Sequence, residues 1–435
     1  MSSKYRADEA HGGSPPIVET HGPSKSPIVE FSDITGAAPY DPTDPALPKN
    51  RHIGQRKLFL NEMQFLTRIV KESTPTLVVY AGGAPSNKAA FLAEMFPRAI
   101  FALVDPNPFV VFPPTRWNKD SPFGPSDTLP KMLVFGSEED GTRRHKILAG
   151  VKKVRAKYGE MVGRITGDAS SDSPEEDPRE RIFLFNTFYV PEHSAVIREV
   201  FKDARIMFMS DIRTSIDDTS SPGDVDICWN TAQQYVWTAI LRAEASMLKW
   251  RHPHRNPEDS SMDSPHRFTQ EDFRLAAAGK YRDEAGHDHE FTPVDFIADY
   301  HRGVLRAPKG PVYIQPWARP ASAETRLVFE RDAPIVEHPR DYGDRMFWYN
   351  SKLRCGPREN LALVGATLTE RYQLGLDECN DCALESEIWR DYLVARNPKI
   401  SPADVPAEVR SRIGHLIGAT GNRPLHPRNY VGKIR

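Results

Sequence analysis

The chain has 435 residues, with 57 Lys and Arg against 59 Asp and Glu and a formal net charge of −2. Its length can bury one large core or two, and its charge balance excludes a strong global basic field, so a nucleic-acid partner would have to be held by a local patch. No apolar run reaches membrane-spanning length and the N-terminus lacks an apolar signal-peptide core, so the sequence predicts a soluble, intracellular protein with no membrane partner.

Four cysteines do not make a disulfide framework in a chain this long, which fits a reducing compartment. Cys379 and Cys382 form one C-x-x-C, while Cys228 and Cys355 stand apart. A zinc site would need two more ligands, and ordinary helix-facing thiols are the simpler reading. His287 and His289 resemble a metal pair but have no partner at convincing spacing, so no metal is expected.

Residues 1–50 are rich in Pro, Ser, Gly and charge, and Pro-Ile-Val-Glu occurs at 16–19 and again at 27–30. Such a segment buries too little apolar surface to offset its ordering entropy, which predicts an arm that is disordered or draped over a domain. From Gln55 to Glu72, the apolar residues Phe59, Met63, Leu66, Ile69 and Val70 have helical spacing, and Lys57 falls in the first turn.

The run Thr76-Leu77-Val78-Val79-Tyr80-Ala81-Gly82-Gly83-Ala84-Pro85-Ser86-Asn87-Lys88 reads as a strand, a glycine turn and the opening of a helix over 89–95. That arrangement lets backbone N–H groups approach a nucleotide-like ligand, although a Gly-Gly turn after a strand is often only a turn. About twenty residues on, after the apolar run 100–104, Asp105 is placed to accept hydrogen bonds from ribose hydroxyls. The chain has no G-x-x-x-x-G-K-[ST] run, which argues against a phosphate-cradling NTPase loop, and the turn lacks full G-x-G-x-x-G spacing, which weighs against a nicotinamide-dependent oxidoreductase.

Residues 106–180 read as a long irregular insert with an acidic, serine-rich end over 170–180. Within it Lys146, Lys152, Lys153, Arg155 and Lys157 mark a basic helical segment, either a solvated charged face or an RNA-backbone contact. Strands follow at 182–185, 206–209 and about 247–250, the last two separated by an acidic loop and a helix with Ala232, Val236, Ile240 and Ala243 on one face. Strands at 312–314 and 326–329 complete the set, and the tail after 350 holds a helix over 383–394 with no assignable chemistry. Strands alternating with helices predict an α/β sandwich with a mostly parallel central sheet. Ligands of such sheets bind beyond the C-terminal strand ends, which puts Asp211 and Lys249 near the glycine turn, with Glu324 just before the last strand. A lysine held among carboxylates and a second lysine can have its pKa adjusted to handle a hydroxyl proton, whereas ordinary ion pairs would look the same in sequence.

At these residues the chain resembles a known family. Gly54-Gln55-Arg56-Lys57-Leu58, Tyr80 to Pro85, Ser210-Asp211-Ile212-Arg213, Leu248-Lys249-Trp250-Arg251 and Ser322-Ala323-Glu324-Thr325-Arg326-Leu327 are similar, in the same order, to motifs of the poxvirus cap-specific mRNA (nucleoside-2′-O-)-methyltransferases, which also serve as poly(A) polymerase processivity subunits. The likeness covers roughly residues 40–350 and implies a Rossmann-like methyltransferase sandwich over 51–350, with 351–435 as an extension. By resemblance, Lys57, Asp211, Lys249 and Glu324 are the catalytic tetrad, with Lys249 the general base for a ribose 2′-hydroxyl. The resemblance also places S-adenosyl-L-methionine over Tyr80, Gly82, Gly83, Ala84 and Pro85, with its ribose at Asp105, its adenine between Phe188 and Tyr189, and Asp211 close by.

Capped mRNA is the implied substrate, and a poly(A) polymerase catalytic subunit the implied partner, in host cytoplasm or virion. The family's Ala-Pro-Gly turn reads Ala84-Pro85-Ser86, which removes a glycine but leaves a good N-cap type. Where the family sandwiches a cationic methylated guanine between two rings held by carboxylates, this chain offers Tyr40, His254, Asn256, Gly343 and the neighbouring Asp344, so altered cap recognition is expected. Arg213, Arg251 and Arg255 are candidate phosphate contacts. The rival reading is a catalytically inactive RNA-binding or polymerase-accessory subunit, which has no physical need for two lysines beside two carboxylates.

Overall fold

The computed structural model describes residues 28–29, 34, 36–41, 43–44, 54–86, 88–109, 134–136, 142–166, 177–213, 224–252, 281–282, 288–289, 305–338, 341–354 and 380–419. In chain order the elements are β1 (Ile28–Val29), α1 (Gly54–Ile69), β2 (Thr76–Ala81), α2 (Ala89–Met95), β3 (Ala99–Val104), β4 (Val134–Gly136) and α3 (Thr142–Thr166). They continue with β5 (Ile182–Asn186), α4 (Pro191–Val200), β6 (Arg205–Ser210), α5 (Asp224–Leu241), β7 (Ala245–Trp250), β8 (Tyr281–Arg282) and β9 (Asp288–His289). The last are β10 (Leu305–Pro308), β11 (Val312–Tyr313), β12 (Thr325–Glu330), β13 (Ile335–His338), α6 (Tyr342–Trp348), α7 (Asn380–Arg396) and α8 (Val405–Ala419).

One nine-stranded sheet organises the molecule, in the order β1-β11-β12-β7-β6-β2-β3-β5-β4. The run from β7 to β4 is parallel throughout, as the strand and helix alternation predicts. β12 then pairs antiparallel with β7 and β11 antiparallel with β12. β2 and β3 are buried along their whole length, which explains their unbroken apolar sequences. Pleating sends Leu77, Val79 and Ala81 into one core cluster and Val78 and Tyr80 into another. The first cluster is covered by side chains of α3, α4 and α5, including Ile147, Val196 and Val236; the second by α1 and α2, with Phe59, Met63, Phe91 and Leu92.

The basic helical segment expected inside the insert over 106–180 is α3, a 25-residue helix that extends beyond the basic run 146–157 at both ends. Its residues Ile147, Val151, Val154, Tyr158 and Met161 recur at three- and four-residue steps and are all buried in the first cluster, so this basic segment is also a core element. Ala243 does not share a helical face with Ile240 as expected. α5 stops at Leu241, and Arg242 takes a left-handed φ of 52°, which turns the chain into β7.

The described parts of the N-terminal segment drape over the domain, one of the two expected outcomes. Ile28 and Val29, from the second Pro-Ile-Val-Glu, add an edge strand to β11. The Ala38 N–H then bonds to the Asp344 carbonyl of α6 at 3.2 Å. α7 likewise joins the core rather than hanging from it: Ile388 and Trp389 are buried in the second cluster, and Trp389 lies 5.9 Å from Phe59 of α1 between ring centroids.

Candidate active site

The chain runs from β2 outward to β3 and β5, then returns to the other side of β2 as β6. The crevice at that reversal lies between the C-terminal ends of β2 and β6, where open α/β sheets bind ligands. Gly82 follows β2 directly with φ +79°, and a Cβ there would stand 3.0 Å from the backbone of Asp211 and Ile212. The Asp211 N–H bonds to the Ala81 carbonyl at 3.0 Å, so the glycine turn and the residue after β6 are held edge to edge.

The same edge collects the four expected polar residues. Lys249 is the penultimate residue of β7, and antiparallel pairing starts β12 beside it, with Thr325 opposite Trp250 and Arg326 opposite Lys249. Glu324 therefore projects just past that end, and α1 lays Lys57 over it from the second-cluster face. Lys249 Nζ is 3.1 Å from Asp211 Oδ1 and 3.4 Å from Glu324 Oε2, while Lys57 Nζ is 3.5 Å from Glu324 Oε1. All four side chains are between 14% and 18% exposed, so the cluster is sheltered yet open to a ligand.

A fifth member had no functional reading in the sequence. Arg326 is buried, and its Nη2 lies 2.6 Å from Asp211 Oδ1 and 3.7 Å from Glu324 Oε1. Gln315 completes the surround when its amide nitrogen is turned to Glu324 and its oxygen to Arg326, each at 3.1 Å. Only the β7 to β12 register reveals Arg326, because cross-strand partners share a face whatever their distance in sequence.

These contacts set the electrostatics. Burial works against ionisation of Asp211, but Arg326 and then Lys249 outweigh it and hold the carboxyl at about 2. Glu324 is likewise held well below the usual carboxylate range, with Lys249 and Lys57 overcoming burial. For Lys249 burial dominates and lowers its pKa, while Asp211 and Glu324 pull the other way. The arrangement keeps two carboxylates ionised beside an amine whose proton is loosened. Arg213 is also drawn down, to about 10, chiefly by burial with Glu324 opposing.

Asp105 closes the far end of the crevice. Its Oδ1 accepts from Asn107 N at 2.8 Å and Asn107 Nδ2 at 3.0 Å, and its Oδ2 accepts from Ala84 N at 3.1 Å. A carboxylate has about four acceptor positions, so Oδ2 keeps one for a ribose hydroxyl. Asn186, at the end of β5, anchors this loop by donating to the carbonyls of Asp105, Pro106 and Asn107 at 3.0 to 3.1 Å.

The two aromatic candidates separate. Phe188 is 64% exposed beside this end of the sheet, but Tyr189 is a core residue. Its ring stacks on His193 and packs on Trp237, and its hydroxyl lies 2.8 Å from Ser194 Oγ. The expected second flanking ring is therefore taken up by packing.

Tyr40 and Asp344 are brought together, with the Tyr40 N–H donating to Asp344 Oδ1 at 3.0 Å. The Arg251 guanidinium lies over the Tyr40 ring at 5.8 Å, and Phe347 meets that ring edge-on at 5.3 Å. Gly343 is buried within α6, while His254, Asn256, Arg255, His287, Cys355 and Cys379 fall outside the described residues. Among the described residues no group of three His, Cys, Asp or Glu side chains could hold a metal, and no helix is long and apolar enough to cross a membrane.

Residues 24–104, which span α1, the glycine turn and β3, match the family model described as poly A polymerase regulatory subunit. The chain is similar to a poxvirus cap methyltransferase. Over 341 residues it is 22% identical to the cap-specific mRNA (nucleoside-2′-O-)-methyltransferase of Fowlpox virus (strain NVSL), covering 75% of this chain and 77% of that protein. At this distance the likeness supports a methyltransferase-like family.

Proposed function

We propose that the protein is an S-adenosyl-L-methionine-dependent methyltransferase of Rossmann-like fold, acting on a ribose 2′-hydroxyl of capped mRNA. The observation that carries this reading is the gathering of Lys57, Asp211, Lys249 and Glu324 within ion-pair distance, beside a glycine turn at the sheet's switch point. A sulfonium donor supplies an electrophilic methyl group and needs an oxygen nucleophile held in line with it. The residues present fit that donor: Gly82 lets the chain pass close to the β6 end, Asp105 retains an acceptor position, and Phe188 offers an open ring face.

In this reading Lys249, neutral at the moment of reaction, would take the 2′-hydroxyl proton, and a bound donor would supply the methyl group to that oxygen, its carbon–sulfur bond breaking to leave a neutral thioether. Asp211 and Glu324 fix Lys249 from two sides, and Lys57 and Arg326 keep both carboxylates ionised so that neither competes for that proton. Arg251, over the Tyr40 ring with Asp344 nearby, would serve the 5′ end of the RNA, and Arg213, two residues after Asp211, would be a second phosphate contact. Because Arg251 already stacks on Tyr40, a cationic base meets a ring face that carries a guanidinium, which supports an altered cap preference. In this reading the protein works in host cytoplasm or the virion.

Transfer of a radiolabelled methyl group to RNA carrying a methylated cap, an unmethylated cap or no cap tests the reading. Capped RNA labelled on a 2′-oxygen is expected; no transfer to any of the three overturns it. A second reading, an accessory subunit of a poly(A) polymerase, is favoured by the family match over residues 24–104. It predicts co-purification with such an enzyme and longer tails in its presence, and the two activities are compatible in one chain.

A further inference from the structure

One carboxylate oxygen holds both ends of the glycine turn. Glu62 lies on α1, and its Oε1 accepts from the Tyr80 hydroxyl at 2.7 Å and pairs with Lys88 Nζ at 2.8 Å. Tyr80 stands two residues before Gly82, and Lys88 stands where the turn gives way to α2. Between them the backbone is left-handed at Gly82, φ +79°, and at Ser86, φ 50°. A non-glycine residue in that region costs about 1–2 kcal/mol, so the turn requires outside support to keep one shape.

All three side chains are buried: Glu62 is 1% exposed, Lys88 3% and Tyr80 4%. A lysine with so little water around it is retained only when paired, because burial alone would drive off its proton. The second Glu62 oxygen, Oε2, is buried with no hydrogen-bond partner among the described residues. An apolar trio of the same volume would fill this space without that desolvation cost. What the charged trio adds is direction, since it ties the turn to α1, the helix that also carries Lys57.

We propose that Glu62 is a positioning residue for the methyl donor, clasping both ends of the turn at Tyr80 and Lys88 and fixing the turn relative to Lys57. This deepens the methyltransferase reading and rests on it. Loss of the clasp loosens the donor platform and leaves the RNA side of the site unchanged. A merely structural residue would lower the melting temperature and leave the folded protein's donor affinity intact.

The test is calorimetric titration of the full chain with S-adenosylhomocysteine, alongside steady-state constants for donor and RNA. Glu62→Ala is expected to weaken binding by roughly tenfold or more, since it removes a hydrogen-bonded charge. Glu62→Gln, which keeps an acceptor, is expected to recover part of that loss. The donor KM should rise while the RNA KM holds. The double variant Glu62→Gln with Lys88→Met leaves no orphan charge, so it reports on the clasp if Glu62→Ala does not fold, and it too should bind weakly. Folded variants that bind like the wild type overturn the clasp alone. A wild-type chain that binds neither donor nor product overturns the methyltransferase reading and the clasp with it.

Discussion

Replacing Lys249 by Met separates chemistry from architecture because of how the charges around it are shared. With Lys249 present, Lys57, Lys249 and Arg326 face Asp211 and Glu324. Without it, Asp211 keeps Arg326 at 2.6 Å, and Glu324 keeps Lys57 at 3.5 Å and Arg326 at 3.7 Å. Each carboxylate retains a cation, so the cost of orphaning a buried charge, about 3–5 kcal/mol, does not arise. Methionine also fills the space of the lysine stem. The fold and the donor crevice should therefore survive, with donor affinity within about threefold of wild type, less than 1 kcal/mol. A positioned general base contributes about 10²–10⁴ in rate, so kcat should fall by that factor, roughly 3–5.5 kcal/mol of barrier. Single-turnover methyl transfer at saturating donor reads the chemical step directly, and calorimetry with S-adenosylhomocysteine reads the crevice. Transfer within about threefold of wild type, with binding intact, would refute Lys249 as the base.

The pH profile supplies a signed companion. Transfer should rise with pH as Lys249 loses its proton; Arg326→Met should move that limb to higher pH, because Arg326 disfavours the charged lysine, and Asp211→Asn should move it to lower pH. An unmoved limb in both would contradict the assignment. Asp211 also links pH to stability: its folded pKa of about 2 lies below the ordinary 3.8, so it contributes about 2 kcal/mol above pH 4, lost as the pH falls through about 2. Acid titration followed by circular dichroism should show Asp211→Asn losing that contribution. Gly82→Ala places a Cβ 3.0 Å from the Asp211 backbone at φ +79°, so it should cost at least about 1–2 kcal/mol in thermal stability and weaken donor binding. Glu385→Ala removes the fully buried carboxylate that pairs with Arg56 at 2.7 Å and accepts from Trp317 Nε1, so the chain should lose about 3–5 kcal/mol in a denaturant titration.

How much of this was legible in sequence follows from how far each signal reaches along the chain. The strand and glycine turn at 76–88, the helix over 89–95 and the strand ends at Asp211 and Lys249 are local patterns, and each lies where periodicity predicts. α3 was obscured by its own composition. Its lysines suggest a solvated segment, yet Ile147, Val151, Val154, Tyr158 and Met161 already mark a buried stripe. Ala243 failed for the opposite reason, since apolar spacing continues past Leu241 while the backbone does not. Tyr189 is aromatic in either role, and only packing against His193 and Trp237 distinguishes a core ring from a ligand-facing one. Arg326, Gln315 and Glu62 act across strand register or between elements, where no linear pattern extends.

That distinction bears on the C-terminal segment, which offered no chemistry in sequence yet fixes the base of the site. Glu385 of α7 pairs with Arg56 at 2.7 Å and accepts from Trp317 Nε1 at 2.7 Å, with Arg56 lying 4.9 Å over the Trp317 ring. Arg56 is the neighbour of Lys57, and Trp317 lies between Gln315 and Glu324. One buried carboxylate thus joins the two chain segments that bring Lys57 and Glu324 together. A second buried pair, Arg354 with Asp381 at 2.6 Å, ties the start of α7 to the carbonyl of Ala318, beside that same tryptophan. Breaking a buried ion pair is expensive, so these pairs are sensitive to register: a shift of α7 by one residue would disrupt both Arg56–Glu385 and Arg354–Asp381. The tetrad geometry therefore depends on residues over 380–396 as much as on the strand ends that carry three of its members.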